Sequence, residues 1–337
     1  MFDKTSLSNL VAEMPLEIWS GQIPSDTPGV ELFVHNKRPY RMSESSPANT
    51  ILLVHGSTYA SRIAFDLRLG GFSMMEAIAA QGYDVWTVDI RGYGRSSRPE
   101  PATDAAGDIV PVARTEVAVR DVAAAVAHIL EQRRLSRLSL LGWSWGTTLT
   151  GAFAASRPEL VEKLVLLAPQ WLRNSPSLAD QGGALSAYRD VTIGQTRDRW
   201  LRGVPQSAQE TLIPRGWFDV VAKALLAEDP IGAARTPPSF SAPNGTVADS
   251  REYWAAGKPV YDPGAIRCPV LVVHGEWDQD LPSEITRAYF ATLVNAPYRR
   301  WVEIAEATHS LMLEKNRLQV FGAICQFFEE RVAPEMA

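Results

Sequence analysis

The sequence predicts an α/β fold, an eight-stranded, mostly parallel sheet flanked by helices and interrupted by a mainly helical insertion. Three observations carry that expectation. Short apolar runs rich in Val, Ile and Leu alternate with stretches of helical period, as parallel strands joined by crossover helices do. The rhythm stops between Pro169 and about Asp262, where the chain turns rich in Trp, Arg, Gly and Pro, and then resumes. A Gly-x-Ser-x-Gly pentapeptide stands directly between an apolar run and a helix-compatible stretch at 147–156.

In chain order the candidate strands are 16–21, 31–36, 51–55, 85–89, 138–141, 164–168, 270–274 and 300–304. The first two read as a hairpin at an antiparallel edge, with Pro24, Pro28 and Gly29 in its turn. An amphipathic helix is expected near 313–330. These elements divide the chain into a core, 1–169 and 263–337, and an insertion, 170–262. A segment placed there hangs over the carboxyl ends of the strands, where ligands bind in open α/β sheets. There is no internal repeat and no low-complexity tract.

The pentapeptide Gly142-Trp143-Ser144-Trp145-Gly146 reads as a nucleophile elbow. A serine there sits on a strained strand-to-helix turn, and a Cβ at either glycine would collide with the neighbouring strand or helix. The turn lifts the Ser144 hydroxyl off the sheet and aims N–H groups of the helix start at an oxyanion. Taken alone the pattern also fits a surface Gly/Ser turn, so its context decides.

The run 51–54 ends at His55-Gly56-Ser57-Thr58, as a buried strand opening into a loop does. Gly56 permits a tight turn, and the Ser57 N–H then joins that of Trp145 as a pair of oxyanion donors. His55 precedes the nucleophile and reads as a loop-packing residue. Further on, 270–273 breaks at His274-Gly275 into a loop carrying Glu276, Asp278 and Asp280. Asp278 is the candidate for the acid that orients a histidine, with Asp280 and Glu276 as competitors. His309 is the only histidine downstream of that loop, so the order Ser, Asp, His is met by one choice. His35, in the hairpin, His128, on a helix, and His274, at a strand end, take structural readings.

The chain resembles the α/β-hydrolase fold superfamily, in the form that carries a cap in the core domain. The resemblance rests on His55-Gly56, on 89–96, on the elbow, on the loop from Gly275 to Pro282, and on His309. It implies eight strands, a Ser-His-Asp triad and a supporting role for the loop Arg91-Gly92-Tyr93-Gly94-Arg95-Ser96 beneath the elbow. One departure is Thr308, where family members often have glycine before the histidine. A serine at the elbow excludes the variants of the family that use aspartate there.

The chemistry expected is acyl transfer to water by way of an acyl-enzyme on Ser144, with His309 as base and acid. A small carboxylic ester is the leading substrate class. A carbon–carbon bond hydrolase or lactonase on the same triad is the alternative, and a slow or non-hydrolytic small-molecule receptor is the alternative from another class. Trp143, Thr58, Trp171 and Trp277 are the candidate pocket residues, with indole rings suited to a hydrophobic or aromatic group. The insertion arginines Arg173, Arg189, Arg197, Arg199, Arg202 and Arg215 suggest a half ester whose carboxylate they pair, although most of them read as solvated.

Composition sets the bounds. A chain of 337 residues, 46% hydrophobic and 21% charged, is an ordinary globular one, long enough for a large core. A net charge of −5 and the lack of a dense basic run argue against nucleic acid as a partner. No apolar stretch approaches a membrane span, and the start lacks the apolar region of a signal peptide. Two cysteines, Cys268 and Cys325, suggest reduced thiols and a cytoplasmic protein. No metal cluster or nucleotide-binding glycine loop is visible in the sequence, so no cofactor is expected. The oligomeric state is not legible.

Overall fold

A computed structural model describes residues 4–105 and 107–330. The strands in chain order are β1 (Leu16–Pro24), β2 (Glu31–Pro39), β3 (Thr50–Val54), β4 (Asp84–Val88), β5 (Ala102–Thr103), β6 (Ile109–Val110), β7 (Leu138–Trp143), β8 (Val161–Leu167), β9 (Tyr188–Thr192), β10 (Ser239–Pro243), β11 (Val270–Gly275) and β12 (Arg299–Ile304). Eight of them form one sheet in the order β1-β2-β4-β3-β7-β8-β11-β12. The hairpin β1–β2 and the pair β2–β4 are antiparallel, and the remaining neighbours are parallel.

The apolar runs are continuous because both faces of the sheet are covered. In β3, Ile51 and Leu53 pack on one side with Phe321 and Ile324 of the last helix, Arg317–Glu329. Leu52 and Val54 pack on the other with Ala118 and Val122 of the helix Thr115–Arg133 and Leu149 of the helix Trp145–Ser156. β11 alternates the same way, Leu271 and Val273 against Val270 and Val272. Every residue of β3, β4, β7 and β11 is buried.

Three features depart from the sequence reading. The last helix begins at Arg317 rather than near 313, after a short 3-10 turn, Leu311–Leu313. Glu314 stands between them with extended backbone, φ −109° and ψ 176°, which breaks the helical run, and its carboxylate receives the N–H of Thr308. Most of the regular structure between β8 and β11 is helical, but the segment also carries an antiparallel pair, β9 and β10. A small exposed hairpin, β5 and β6, was not anticipated. Of the core range proposed from sequence, residues 1–3, 106 and 331–337 lie outside the described residues.

Candidate active site

The site grows from the end of β7. Ser144 has φ 55° and ψ −120°, a conformation L residues rarely adopt, held by its N–H on the Leu167 carbonyl at 2.9 Å. The two glycines make that turn possible. A Cβ on Gly142 would strike the Gly146 carbonyl in the helix start, and one on Gly146 would strike the Val54 carbonyl of β3. Gly56 abuts the elbow from the β3 loop, with space for a Cβ only 3.1 Å from that of Ser144.

Ser144 Oγ lies 2.8 Å from His309 Nε2, and His309 Nδ1 lies 2.8 Å from Asp278 Oδ2. A carboxylate accepts only, so Nδ1 carries the proton and Nε2 is left to accept from the serine hydroxyl. Asp278 is 1% exposed, and its other oxygen accepts the Leu281 N–H at 2.9 Å. Burial depresses the His309 imidazolium, but Asp278 and then Asp280 more than offset it, so the pKa is raised above its ordinary 6.5. Glu276 is the one competitor the fold carries away: it accepts the Glu306 N–H at the surface. Asp280 stays in the site on the opposite side of the imidazole, 4.0 Å from Nε2.

Among the described residues, neither the Ser57 nor the Trp145 N–H donates a hydrogen bond within the chain, which leaves both available to an oxyanion. The loop bearing Ser57 is braced. Its carbonyl accepts from Tyr93 Oη at 2.8 Å and from Arg189 Nη2 at 2.9 Å. Beneath it, Asp89 accepts from Ser61 and from the Arg95 N–H, and Arg91 pairs with the buried Asp121. His55 Nε2 accepts the Ile90 N–H at 3.1 Å, so its Nδ1–H donates to the Gly56 carbonyl. His55 is therefore spent on packing.

Thr308, the departure from glycine, is also accounted for. Its N–H donates to Glu314 Oε2 at 2.9 Å, its hydroxyl donates to Glu314 Oε1, and Trp200 Nε1 reaches the same oxygen at 2.8 Å. This network anchors the turn before His309, and Trp143 Nε1 holds its far side by the His309 carbonyl at 2.9 Å. Burial lifts the Glu314 carboxyl to about 7, against the lowering by Thr308 and Trp200. An exposed glutamate titrates near 4.5, so the folded chain binds this proton more tightly. The resulting stabilisation is full below that value and is lost as pH rises through about 7, a loss of roughly 3 kcal/mol. The wild type is expected to show a rise in urea midpoint on acidifying from about pH 8 to about pH 5, and Glu314→Gln, which keeps an accepting oxygen, is expected to flatten it. An unchanged slope would place the buried titration elsewhere.

A cavity of about 250 Å³ opens above Ser144. Of the candidate pocket residues, Trp143 and Thr58 line it. Trp171 and Trp277 do not. Trp171 is buried edge-on against Tyr289 at 5.3 Å, and the Trp277 ring packs on the core beside the acid loop, whose backbone is tied by the Trp277 main-chain N–H to the Ala307 carbonyl. Tyr59 and Trp200 take their place as aromatic wall residues. Trp145 contributes only backbone; its ring is fully buried, with Nε1 on Thr115 Oγ1 at 2.9 Å.

The arginines are not all solvated. Arg189 is buried, its guanidinium donating to the carbonyls of Ser57 and Pro243 and to Thr58 Oγ1, and burial lowers its pKa to about 10. Arg199 faces the cavity and pairs with Asp280 at 2.8 Å. Arg197, Arg202 and Arg215 are exposed. Arg173 is held under the surface, where burial lowers its pKa. Sequence reasoning missed Glu314 and Trp200, and it read Arg189 only as a possible partner of a substrate carboxylate and Tyr93 only as part of a supporting loop. Only Glu314 left a signal, as a lone acid closing the apolar run 311–313 just after the histidine. Among the described residues no cluster of His, Cys, Asp and Glu could hold a metal ion, and no helix is long and apolar enough to cross a membrane. Cys268 and Cys325 are buried free thiols.

Comparison with known proteins adds a family. A family model described as alpha/beta hydrolase fold matches residues 49–316. Among curated proteins, 1-acylglycerol-3-phosphate O-acyltransferase ABHD5 of Rattus norvegicus is 26% identical over 151 residues, 44% of this chain and 40% of that protein. Lipase member K of Homo sapiens is 29% identical over 128 residues, 37% of this chain and 32% of that protein. The matched stretch thus spans well under half the length of these relatives. Among solved structures, 2-hydroxy-6-oxo-6-phenylhexa-2,4-dienoate hydrolase from Rhodococcus sp. strain RHA1 superposes with a TM-score of 0.62 at 15% identity, covering 93% of this chain and 99% of that one. A thermophilic esterase from Thermogutta terrifontis gives 0.57 at 19% identity, covering 92% and 97%. At such identities the likeness is one of fold.

Proposed function

Because this chain belongs to the alpha/beta hydrolase fold family, we propose that it is a serine hydrolase that cleaves small carboxylic esters through an acyl-enzyme on Ser144. The observation that supports this reading is the unbroken relay from Ser144 Oγ through His309 to the buried Asp278, each link 2.8 Å long. In it, His309 Nε2 takes the serine proton as Oγ attacks the carbonyl, and the Ser57 and Trp145 N–H groups receive the oxyanion. The imidazolium, stabilised by Asp278, then protonates the leaving alcohol. Water repeats the sequence on the acyl-enzyme.

The cavity suits a small substrate with an apolar part against Trp143 and Tyr59 and a polar part toward Arg199. A half-ester carboxylate would pair with Arg199 or Arg202, since Arg189 is already engaged in bracing the Ser57 loop. Residues 170–262 serve as the cap in this reading, supplying Arg189, Arg199 and Trp200 to the walls. The solved relatives named as an esterase and as a dienoate hydrolase share the fold with it, so diketone and lactone substrates belong in the same panel as esters.

The test is intact-protein mass spectrometry after incubation with a serine-directed fluorophosphonate. A single adduct mapped to Ser144 is expected. A folded protein that takes no adduct would sink the hydrolase reading and favour a receptor, and an adduct without turnover of any ester, lactone or diketone would do the same for the substrate class.

A further inference from the structure

Asp280 is a second carboxylate at the candidate site, and beyond its charge on His309 it has no part in the bond-making steps described above. It lies two residues past Asp278, is 7% exposed, and lines the cavity beside Ser144 and His309. Its Oδ2 accepts Arg199 Nε–H at 2.8 Å and stands 4.0 Å from His309 Nε2, while Oδ1 has no partner. His309 is thus faced by carboxylates at both ring nitrogens. At Nδ1 the separation is a hydrogen bond; at Nε2 it is too long for one.

The wider gap fits one oxygen atom. An oxygen placed about 2.8 Å from both His309 Nε2 and Asp280 Oδ2 would see them roughly 90° apart, close to the spread of the two O–H bonds of water. Arg199, from the helix Ile193–Trp200, engages the same carboxylate oxygen and holds it in place, leaving it a lone pair to accept with.

We propose that Asp280 holds the water that hydrolyses the acyl-enzyme and so selects water over alcohols as acyl acceptor. The inference rests on the serine hydrolase reading above. In deacylation the water oxygen bonds to the acyl carbon and gives one proton to His309 Nε2. Its second O–H donates to Asp280 Oδ2, and that hydrogen stays on the water oxygen as the carboxylic acid forms. The bond from the acyl carbon to Ser144 Oγ then breaks, and Oγ recovers the proton from His309. An alcohol has a single O–H, which His309 must take. It has no hydrogen left for Asp280, and its carbon would lie against a carboxylate.

The test is product partition. Each protein is given p-nitrophenyl butyrate with 1-propanol, and butyric acid and propyl butyrate are quantified together. Both products come from one acyl-enzyme, so their ratio is independent of how fast that intermediate forms and of how much protein is folded. Asp280→Ala is expected to raise the ratio of propyl ester to acid about ten-fold over wild type, the scale of one lost hydrogen bond to a charged group. Asp280→Asn, isosteric and still able to accept through its amide oxygen, is expected to raise it less, and it carries the test if the alanine variant does not fold. The same ratio in all three proteins overturns the proposal while leaving the hydrolase reading in place. A wild type that forms neither product overturns both.

Discussion

Ser144→Ala is expected to lower ester turnover by at least about 10⁴-fold while leaving ligand binding in the cavity nearly unchanged. The hydroxyl is the only group at the elbow able to form a covalent acyl intermediate, and no other hydroxyl is hydrogen-bonded to His309 Nε2 among the described residues. The substitution removes one oxygen from a turn whose conformation is set by Gly142, Gly146 and the Leu167 carbonyl, so the fold should survive it. Residual rate would come from the oxyanion donors and from binding alone. Parallel measurement of steady-state hydrolysis and of inhibitor affinity checks this, and comparable turnover in the variant would remove Ser144 from the mechanism.

Asp278→Asn is the second large effect, a fall in kcat of about 10⁴-fold with little change in structure. An asparagine amide can donate to His309 Nδ1, which forces the proton onto Nε2 and leaves the serine without a base. The pH profile separates this from general damage. In the wild type, kcat/KM should fall as pH drops through a value above 6.5, because the carboxylates raise the imidazolium and protonated His309 cannot act as base. Loss of the Asp278 charge should move that acid limb to lower pH as well as lowering the plateau. Asp280→Asn should shift the limb in the same direction by less, with the plateau largely kept, since its contact with the ring is 4.0 Å rather than a hydrogen bond. If Asp280→Asn were the crippling change instead, the two acids would have exchanged roles.

All eight strands of the main sheet and the order of Ser144, Asp278 and His309 were legible in the sequence, because each leaves a local mark. A buried parallel strand must be apolar on both faces, as 51–54 and 270–273 are. A strained elbow must place glycine two residues either side of its serine. What the tertiary structure alone decided concerns contacts between distant segments. Nothing local distinguishes Trp277 from Trp200, yet the first turns into the core beside its own loop and the second reaches across the site to Glu314. Arg189 and Arg199 lie ten residues apart in a stretch that reads as solvated. Packing of β9 and the following helix on the strand ends makes one a buried brace for the Ser57 loop and the other the partner of Asp280. Asp280 itself looked like a rival to Asp278, and only the direction from which each meets the imidazole assigns them separate places. Periodicity and glycine spacing are properties of the backbone that a few consecutive residues display, whereas the partner of a buried charge is chosen by the fold.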